Sequence, residues 1–457
     1  MTLLHLAGLS PAQAWQPFEP AAGQPYSRRQ AAHLYRRAGF AATSRQLDQA
    51  TKLGPQDGAK QLLTAPQECA AFDESMRKFA LTVIAGNNAE TLAAWWLHRM
   101  LHSPAPLLEK TTLFWHGHFA TSSAKVTDVE VMYRQHQLLR QHALGRFEPL
   151  VQGIARDAAM LLYLDSATNR KTHPNENFAR EVMELFCLGL GNYTEKDIQE
   201  LARCFTGWEI QHQQFKFNSY QHDTGSKTVL GKSGKFDGDQ AIRVILDQPA
   251  TARFICGKLV RFFVSDDLEL TDELAEPLAR QYRESDLTIA PVLQTILSSR
   301  LFYSEACIGK KIRSPVEFGI GLLRSLEGTT NLQQITGELR ELGQMLFYPP
   351  NVKGWNGGLA WINSSTLLGR ANLARRLVEN GSTRFGGKSL EGYLQGLGWK
   401  TSVEMVDGLD ELLLAVPLPG EVRTQLIADL DRAGPNSPAA IRKLLHTLGS
   451  LPEFQLA

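Results

Sequence analysis

Three carboxylates and a guanidinium recur on one side of a short stretch of this chain. At about 100° per residue, a helix over residues 175 to 188 (NENFAREVMELFCL) sets Glu176, Asn177, Arg180, Glu181 and Glu184 within an arc of about 140°, opposite Phe178, Val182, Leu185 and Phe186. Carboxyls crowded together can hold or accept a proton near neutral pH, so a member of the 176/181/184 set reads as a general base or a metal ligand, with Arg180 stabilising negative charge. The competing reading is a solvated face carrying pairs such as Glu176 with Arg180. The surroundings favour a site. The helix is entered through NRKTHPN, a segment poor in apolar residues whose last member, Asn175, is a candidate substrate contact, and its exit runs toward an equally polar hairpin.

Three further segments carry groups that could join it. HDTGSK supplies His222 as a proton relay, Asp223 as a carboxylate and Lys227 as a cation, although surface turns favour the same residue types. WHGHF supplies His116 and His118. In a regular helix these two point about 200° apart, so a shared ion requires Gly117 to break the helix; with a nearby glutamate, either histidine could hold a divalent metal. His98 and His102, four apart, form another possible pair, but no HExxH glutamate accompanies them. Finally FYPPNVKGWNGGLAWIN offers Lys353, Trp355, Asn356 and Trp361, a mixture of flat apolar faces and polar donors suited to a sugar, or else a loop pinned into the core by its indoles.

The elements that must position these groups are helices. Apolar residues recur at three and four, and N-caps precede them at Ser27, Asn88 and Thr194, the last with Asp197 in a capping-box arrangement. Helical patterns run near 89 to 103, 106 to 119, 127 to 143, 147 to 163, 238 to 248, 250 to 264, 271 to 284, 289 to 299, 314 to 326, 364 to 379 and 418 to 449, with Trp95 and Trp96 in the core. Between residues 208 and 230 the period changes to two, which predicts a β-hairpin. The expected fold is mainly α, a large multi-helical single domain with a small β-hairpin insertion: an N-terminal extension over 1–26, a helical core over 27–379 and a C-terminal helical part over 380–457 packed on the core.

Composition narrows the function classes. In 457 residues, 48 Lys and Arg face 47 Asp and Glu, so the net charge of +1 argues against a nucleic-acid binder unless Arg28, Arg29, Arg36 and Arg37 form one patch. No segment approaches the roughly 18 to 20 apolar residues that cross a bilayer, so no membrane insertion is expected. Five scattered cysteines without a CxxC pattern point to a reducing compartment, and the start MTLLHLAGLSPAQA has no Lys or Arg before its apolar stretch, a poor export signal. A cytoplasmic location is favoured, with export as the alternative. GxGxxG, P-loop, GxSxG and EF-hand signatures are missing, which disfavours hydride transfer and nucleotide hydrolysis.

Strings spread over nearly the whole chain carry a family likeness: HLYRRAGFAAT at 33–43, EKTTLFWHGHFATS at 109–122, AMLLYLDSATNRKTHPNENFAREVMELFCLGLGNYTEKDIQELARCFTGW at 159–208, HDTGSKTVLG at 222–231, QPATARFICGKLVRFFV at 248–264, SPVEFGIGLLRSL at 314–326 and LGQMLFYPPNVKGWNGGLAWINSSTLLGR at 342–370. With these the sequence resembles the domain-of-unknown-function 1800 family of bacterial proteins. The resemblance implies no catalytic residue. It does imply a partner, since members are often encoded beside a second uncharacterised family that looks like alkaline phosphatases and sulfatases, and many members are exported. The resulting expectation is an enzyme whose polar pocket gathers all four segments for hydrolysis or group transfer on a glycan or a phosphorylated or sulfated substrate. Its competitor is a non-enzymatic binding or assembly partner of the phosphatase-like neighbour, in which the same residues form a closed structural network.

Overall fold

A computed structural model describes residues 8–21, 23–268 and 270–457; the first seven residues of the expected N-terminal extension, including the start of the stretch weighed as an export signal, lie outside them. The chain is mainly α, 61% helical, with only small two-stranded sheets. The first helices are α1 (Arg28–Ala38), α2 (Ser44–Leu63), α3 (Cys69–Ala85), α4 (Ala89–His102), α5 (Pro106–His118) and α6 (Val129–His142). Most start where a short polar side chain can satisfy the unpaired N–H groups of a first turn: Ser27 accepts from Gln30, Asn88 from Glu90 and Thr91, and Asp128 from Glu130 and Val131. α5 starts on Pro106 instead, whose fixed φ suits a first helical position.

Among the departures from the sequence reading are two expected helices that break. The single helix expected over 147–163 is α7 (Phe147–Arg156) and α8 (Ala158–Tyr163), because Asp157 takes extended dihedrals and caps the N–H of Met160. The regular helix expected from Asn175 is α9 (Asn177–Glu181), which passes directly into a π-helical turn at Val182–Cys187. Such a turn widens the helix and re-aims the side chains it carries. α10 (Glu195–Cys204) then follows with the expected Thr194/Asp197 box.

Apart from one-turn helices at Pro11–Ala14 and Pro452–Gln455, the remaining α-helices among the described residues are α11 (Gly238–Leu246), α12 (Pro249–Phe263), α13 (Asp272–Glu284), α14 (Ile289–Leu297), α15 (Pro315–Ser325), α16 (Leu332–Glu341), α17 (Ser364–Glu379), α18 (Leu390–Gly396), α19 (Ser402–Leu413), α20 (Gly420–Ala433) and α21 (Pro438–Ser450). α17 packs along α21, and the backbone N–H of Arg313 donates to Gln455 at 2.8 Å, so the C-terminal helices close over the body. In place of one hairpin there are three small antiparallel pairs: β1 (Trp208–Gln211) with β2 (Gln214–Phe217), β3 (Lys227–Val229) with β4 (Lys232–Gly234), and β5 (Gly328–Thr329) with β6 (Arg384–Phe385).

Buried indoles anchor the core where the helices cross. Trp95, Trp96 and Trp115 are fully enclosed; Trp95 Nε1 donates to Met76 O at 3.0 Å and Trp115 Nε1 to Ala143 O at 2.9 Å. Several charges that enter this core do so in compensated groups, whereas the buried Arg36 guanidinium has no hydrogen-bond partner among the described residues. Glu109 is held between Arg99 at 3.0 Å and Arg140 at 2.8 Å, and Lys110 pairs with Glu317. The four N-terminal arginines form no exposed basic patch: Arg36 and Arg37 are buried, Arg29 pairs with Asp410 at 2.9 Å and Arg28 with Glu411 at 3.2 Å. All five cysteines are free thiols, and among the described residues no helix is long and apolar enough to cross a membrane.

Candidate functional site

The WHGHF segment is helical through His118, so its two histidines diverge as the 3.6-residue period requires. His116 Nε2 accepts the backbone N–H of Phe347 at 3.1 Å, among the rings of Trp96, Phe347 and Trp355. Burial pushes its imidazole down to about 3, so it is neutral and an acceptor. His118 faces the other way. Its Nε2–H donates to Phe186 O at 3.0 Å, at the end of the π turn, while Lys258 donates to Leu185 O at 3.2 Å; together they satisfy two carbonyls that a helix C-terminus leaves unpaired. Burial first, then Lys258, hold His118 well below the usual histidine range. The pair thus clamps two different segments onto α5, the Trp355 loop on one side and the α9–π unit on the other.

On that unit the carboxylates separate into different roles. Arg180 is spent on Glu195, with both contacts at 2.8 Å, and lies 3.4 Å from Glu176. Glu176 and Arg180 are therefore a partly exposed surface network, as the solvated-face reading had it. Glu184 accepts from the Tyr193 hydroxyl at 3.2 Å. Glu181 is half-buried and makes no hydrogen bond or ion pair with the described residues. Burial, then Glu184, push its carboxyl up, against the pull of Lys353 and Arg180. Tyr163 stands in the same field: burial and Glu181 raise its phenol. Neither Tyr163 nor Tyr193 was singled out from sequence, although both lie inside the family string at 159–208.

The loop of Lys353 and Trp355 meets this group through backbone. Gly354 has φ +75°, and a Cβ there would overlap the carbonyl of Gly117, so only glycine lets the loop lie against α5. Lys353 is exposed beside Glu181, Trp355 is half-buried with its ring 5.6 Å from that of His116, and Asn356 is exposed. Trp361 is different: it is buried and pins the loop, as the alternative reading of the indoles anticipated.

The HDTGSK turn does not join this cluster. His222 Nδ1 bonds Thr206 O at 2.9 Å, Asp223 pairs with Arg203 at 2.8 Å, and the buried Lys227 ammonium donates to the carbonyls of Asp223 and Phe236. The Arg203 guanidinium holds the Asp223 carboxyl below its ordinary value, and burial lowers Lys227. These three residues close a turn against α10, so their placement in a shared pocket is corrected. Asn175 is structural as well: its side chain donates to Asp165 O at 3.0 Å and accepts from Asn177 at 2.9 Å, while its N–H donates to the buried Asn169 at 2.9 Å.

Nor does the chain assemble the metal set considered from sequence. His116 and His118 point apart, and among the described residues no three His, Cys, Asp or Glu converge as a metal site. The rings of His98 and His102 lie 4.5 Å apart, tilted by 52°, without a third ligand among the described residues, and burial, then His98 and Arg324, push His102 down to about 4.

A comparison with curated proteins finds no match, and neither does one with solved structures. A family described as protein of unknown function, DUF1800, matches residues 33–456, which include every element of the cluster from α5 to the Trp355 loop. On that match, over nearly its whole length, the chain belongs to the DUF1800 family.

Proposed function

We propose that Glu181, Glu184, Lys353 and Trp355 form an acid–base site for hydrolysis or group transfer on a neutral glycan. Glu181 carries this reading, as a half-buried carboxyl with no hydrogen-bond or ion-pair partner among the described residues, lifted toward holding its proton beside a second carboxylate tethered by Tyr193. Two carboxyls in unlike settings divide naturally into a proton donor and a charge-stabilising partner, the combination that glycosidic bond cleavage uses. Trp355 and Asn356 add a flat face and an amide of the kind that contact sugar rings. Two carboxylates against one ammonium repel a phosphate or sulfate, which favours the glycan among the substrates considered. The two histidines of α5 act as positioning residues in this reading.

The test is turnover of a panel of 4-nitrophenyl glycosides and of reducing-end release from polysaccharides, with Glu181→Gln as the comparison. A fall of about 100-fold or more in kcat/KM, with unchanged thermal unfolding, supports the site. Equal rates in both proteins, or no turnover on any member, removes it. A non-enzymatic assembly role has its own support in Leu359 in the Trp355 loop and Leu368 on α17, 74% and 65% exposed, which suit a protein partner such as the phosphatase- or sulfatase-like neighbour.

A further inference from the structure

A cavity of about 290 Å³ lies where the β1–β2 hairpin meets α6 and the corner between α7 and α8, lined in part by Arg134, Arg156, Asp157, Gln213, Gln214 and Phe215. Its walls are fixed. The hairpin turn is two residues, His212 and Gln213, with φ +50° and +58°, a conformation that usually recruits glycine or asparagine. It is held there because the Gln213 side chain donates to Asp128 and its carbonyl accepts from Arg134 at 3.4 Å.

The lining leaves hydrogen-bonding capacity open. Arg156 uses only Nη2, toward Asp239, and its guanidinium lies over the Phe215 ring at 5.5 Å and the Trp208 ring at 5.9 Å. Arg134 spends Nη2 on Glu130 and Nη1 on the Gln213 carbonyl, which leaves Nε and the second N–H of each Nη. Asp157 Oδ1 accepts from Met160 at 3.0 Å and Gln135 at 2.7 Å, whereas Oδ2 has no partner among the described residues. Burial outweighs those bonds and pushes the Asp157 carboxyl up to about 7, so near neutral pH a large share of it is an O–H donor. Two guanidinium groups with donor hydrogens to spare, a carboxylic acid and a ring thereby line one small space.

We propose that this cavity binds a small organic anion with a flat apolar group, its charge on Arg134 and Arg156, its ring against Phe215, and one oxygen accepting from Asp157 Oδ2. The volume sits at the lower end of small-molecule sites, which limits the ligand to a single ring and its charged group.

Calorimetric titration of the full-length protein with phenyl sulfate, whose charge is constant between pH 6 and 8, tests this. Benzyl alcohol, lacking the charge, and inorganic sulfate, lacking the ring, each bind at least about tenfold more weakly, and Arg156→Gln and Phe215→Ala each lose about tenfold or more in affinity. Wild-type affinity falls as pH rises through 7, because an ionised Asp157 repels the anion; the other charges around it are Arg134 and Glu130 on α6, Asp128 at the α6 N-cap, Arg156 on α7 and Asp239 on α11. Asp157→Asn keeps the affinity and removes that pH dependence, and Glu181→Gln changes neither, which separates this site from the acid–base cluster. Absence of phenyl sulfate binding at about 10 mM, equal binding of benzyl alcohol, or an unchanged Arg156→Gln variant overturns the proposal.

Discussion

His116 Nε2 accepts the N–H of Phe347, and Phe347 is held at φ +65°, a left-handed backbone that a bulky residue rarely adopts. One buried imidazole therefore fixes the strained start of the loop that carries Lys353 and Trp355. His116→Leu removes the acceptor and leaves a buried N–H unpaired, at an expected cost of about 1–3 kcal/mol in denaturant unfolding, with faster hydrogen exchange at the Phe347 amide. An unchanged midpoint and unchanged exchange would rule out the clamp.

The same histidine predicts acid sensitivity. Its folded-state value lies near 3, below the ordinary histidine value of 6.5, so its stabilising contribution is complete above about pH 6.5 and is lost as pH falls toward 3. Each pH unit in that window removes about 1.4 kcal/mol, and His116→Leu makes the stability profile flatter there.

Gly354 and Gly117 face each other but differ in what they tolerate. Gly354→Ala places a methyl against the Gly117 carbonyl at a positive φ, so a loss of about 2 kcal/mol or more is expected. Gly117→Ala meets nothing within 4 Å inside a helix and should be neutral or stabilising by about 0.5–1 kcal/mol. Thermal unfolding of the two variants checks the contrast; similar effects would show that the close approach is absent.

Glu317 supplies a second, lower acid limb. Burial alone would raise its carboxyl, but Lys110 and Lys311, with a hydrogen bond from Ser314 N–H at 2.7 Å, hold it at about 2. Its contribution is present above the ordinary carboxylate value and fades as pH drops through about 2, on the order of 3 kcal/mol in all. Glu317→Gln strands the Lys110 ammonium in the core and should cost about 3–5 kcal/mol at pH 7 by denaturant titration. A cost under about 1 kcal/mol would mean the pair is not buried as described.

If Glu181 delivers the proton in turnover, its titration sets the alkaline limb of the pH–rate profile. Lys353 pulls that carboxyl downward, so Lys353→Met should move the alkaline limb to higher pH, whereas Glu184→Gln, which removes a neighbouring charge that raises it, should move the limb lower. Opposite displacements in the two variants are the signature; coincident profiles would show that another group titrates.

Much of the architecture is readable from local pattern. α17 runs over the residues expected, the Ser27, Asn88 and Thr194 caps form, the 347–363 stretch is irregular, and the change to period two marks β1 and β2. Each depends on side chains a few positions apart, so the order of residues alone determines it. The π turn after Glu181, the break at Asp157 and the closure of HDTGSK on α10 were not legible, because each is set by groups arriving from other elements.

The sequence by itself determined a mainly helical body, the family and the segments rich in polar groups. Tertiary structure decided which of those groups are free. His116 finds its donor 231 positions away, Asp223 spends itself on Arg203 of α10 and Lys227 on the carbonyls of Asp223 and Phe236, while Glu181 is left without a hydrogen bond or ion pair among the described residues, in the field of Glu184 and Lys353. Periodicity and capping are local and survive in the order of residues. Hydrogen-bond pairing and desolvation depend on which distant segments come to lie against one another, and those two effects fix whether a carboxyl or an imidazole can move a proton.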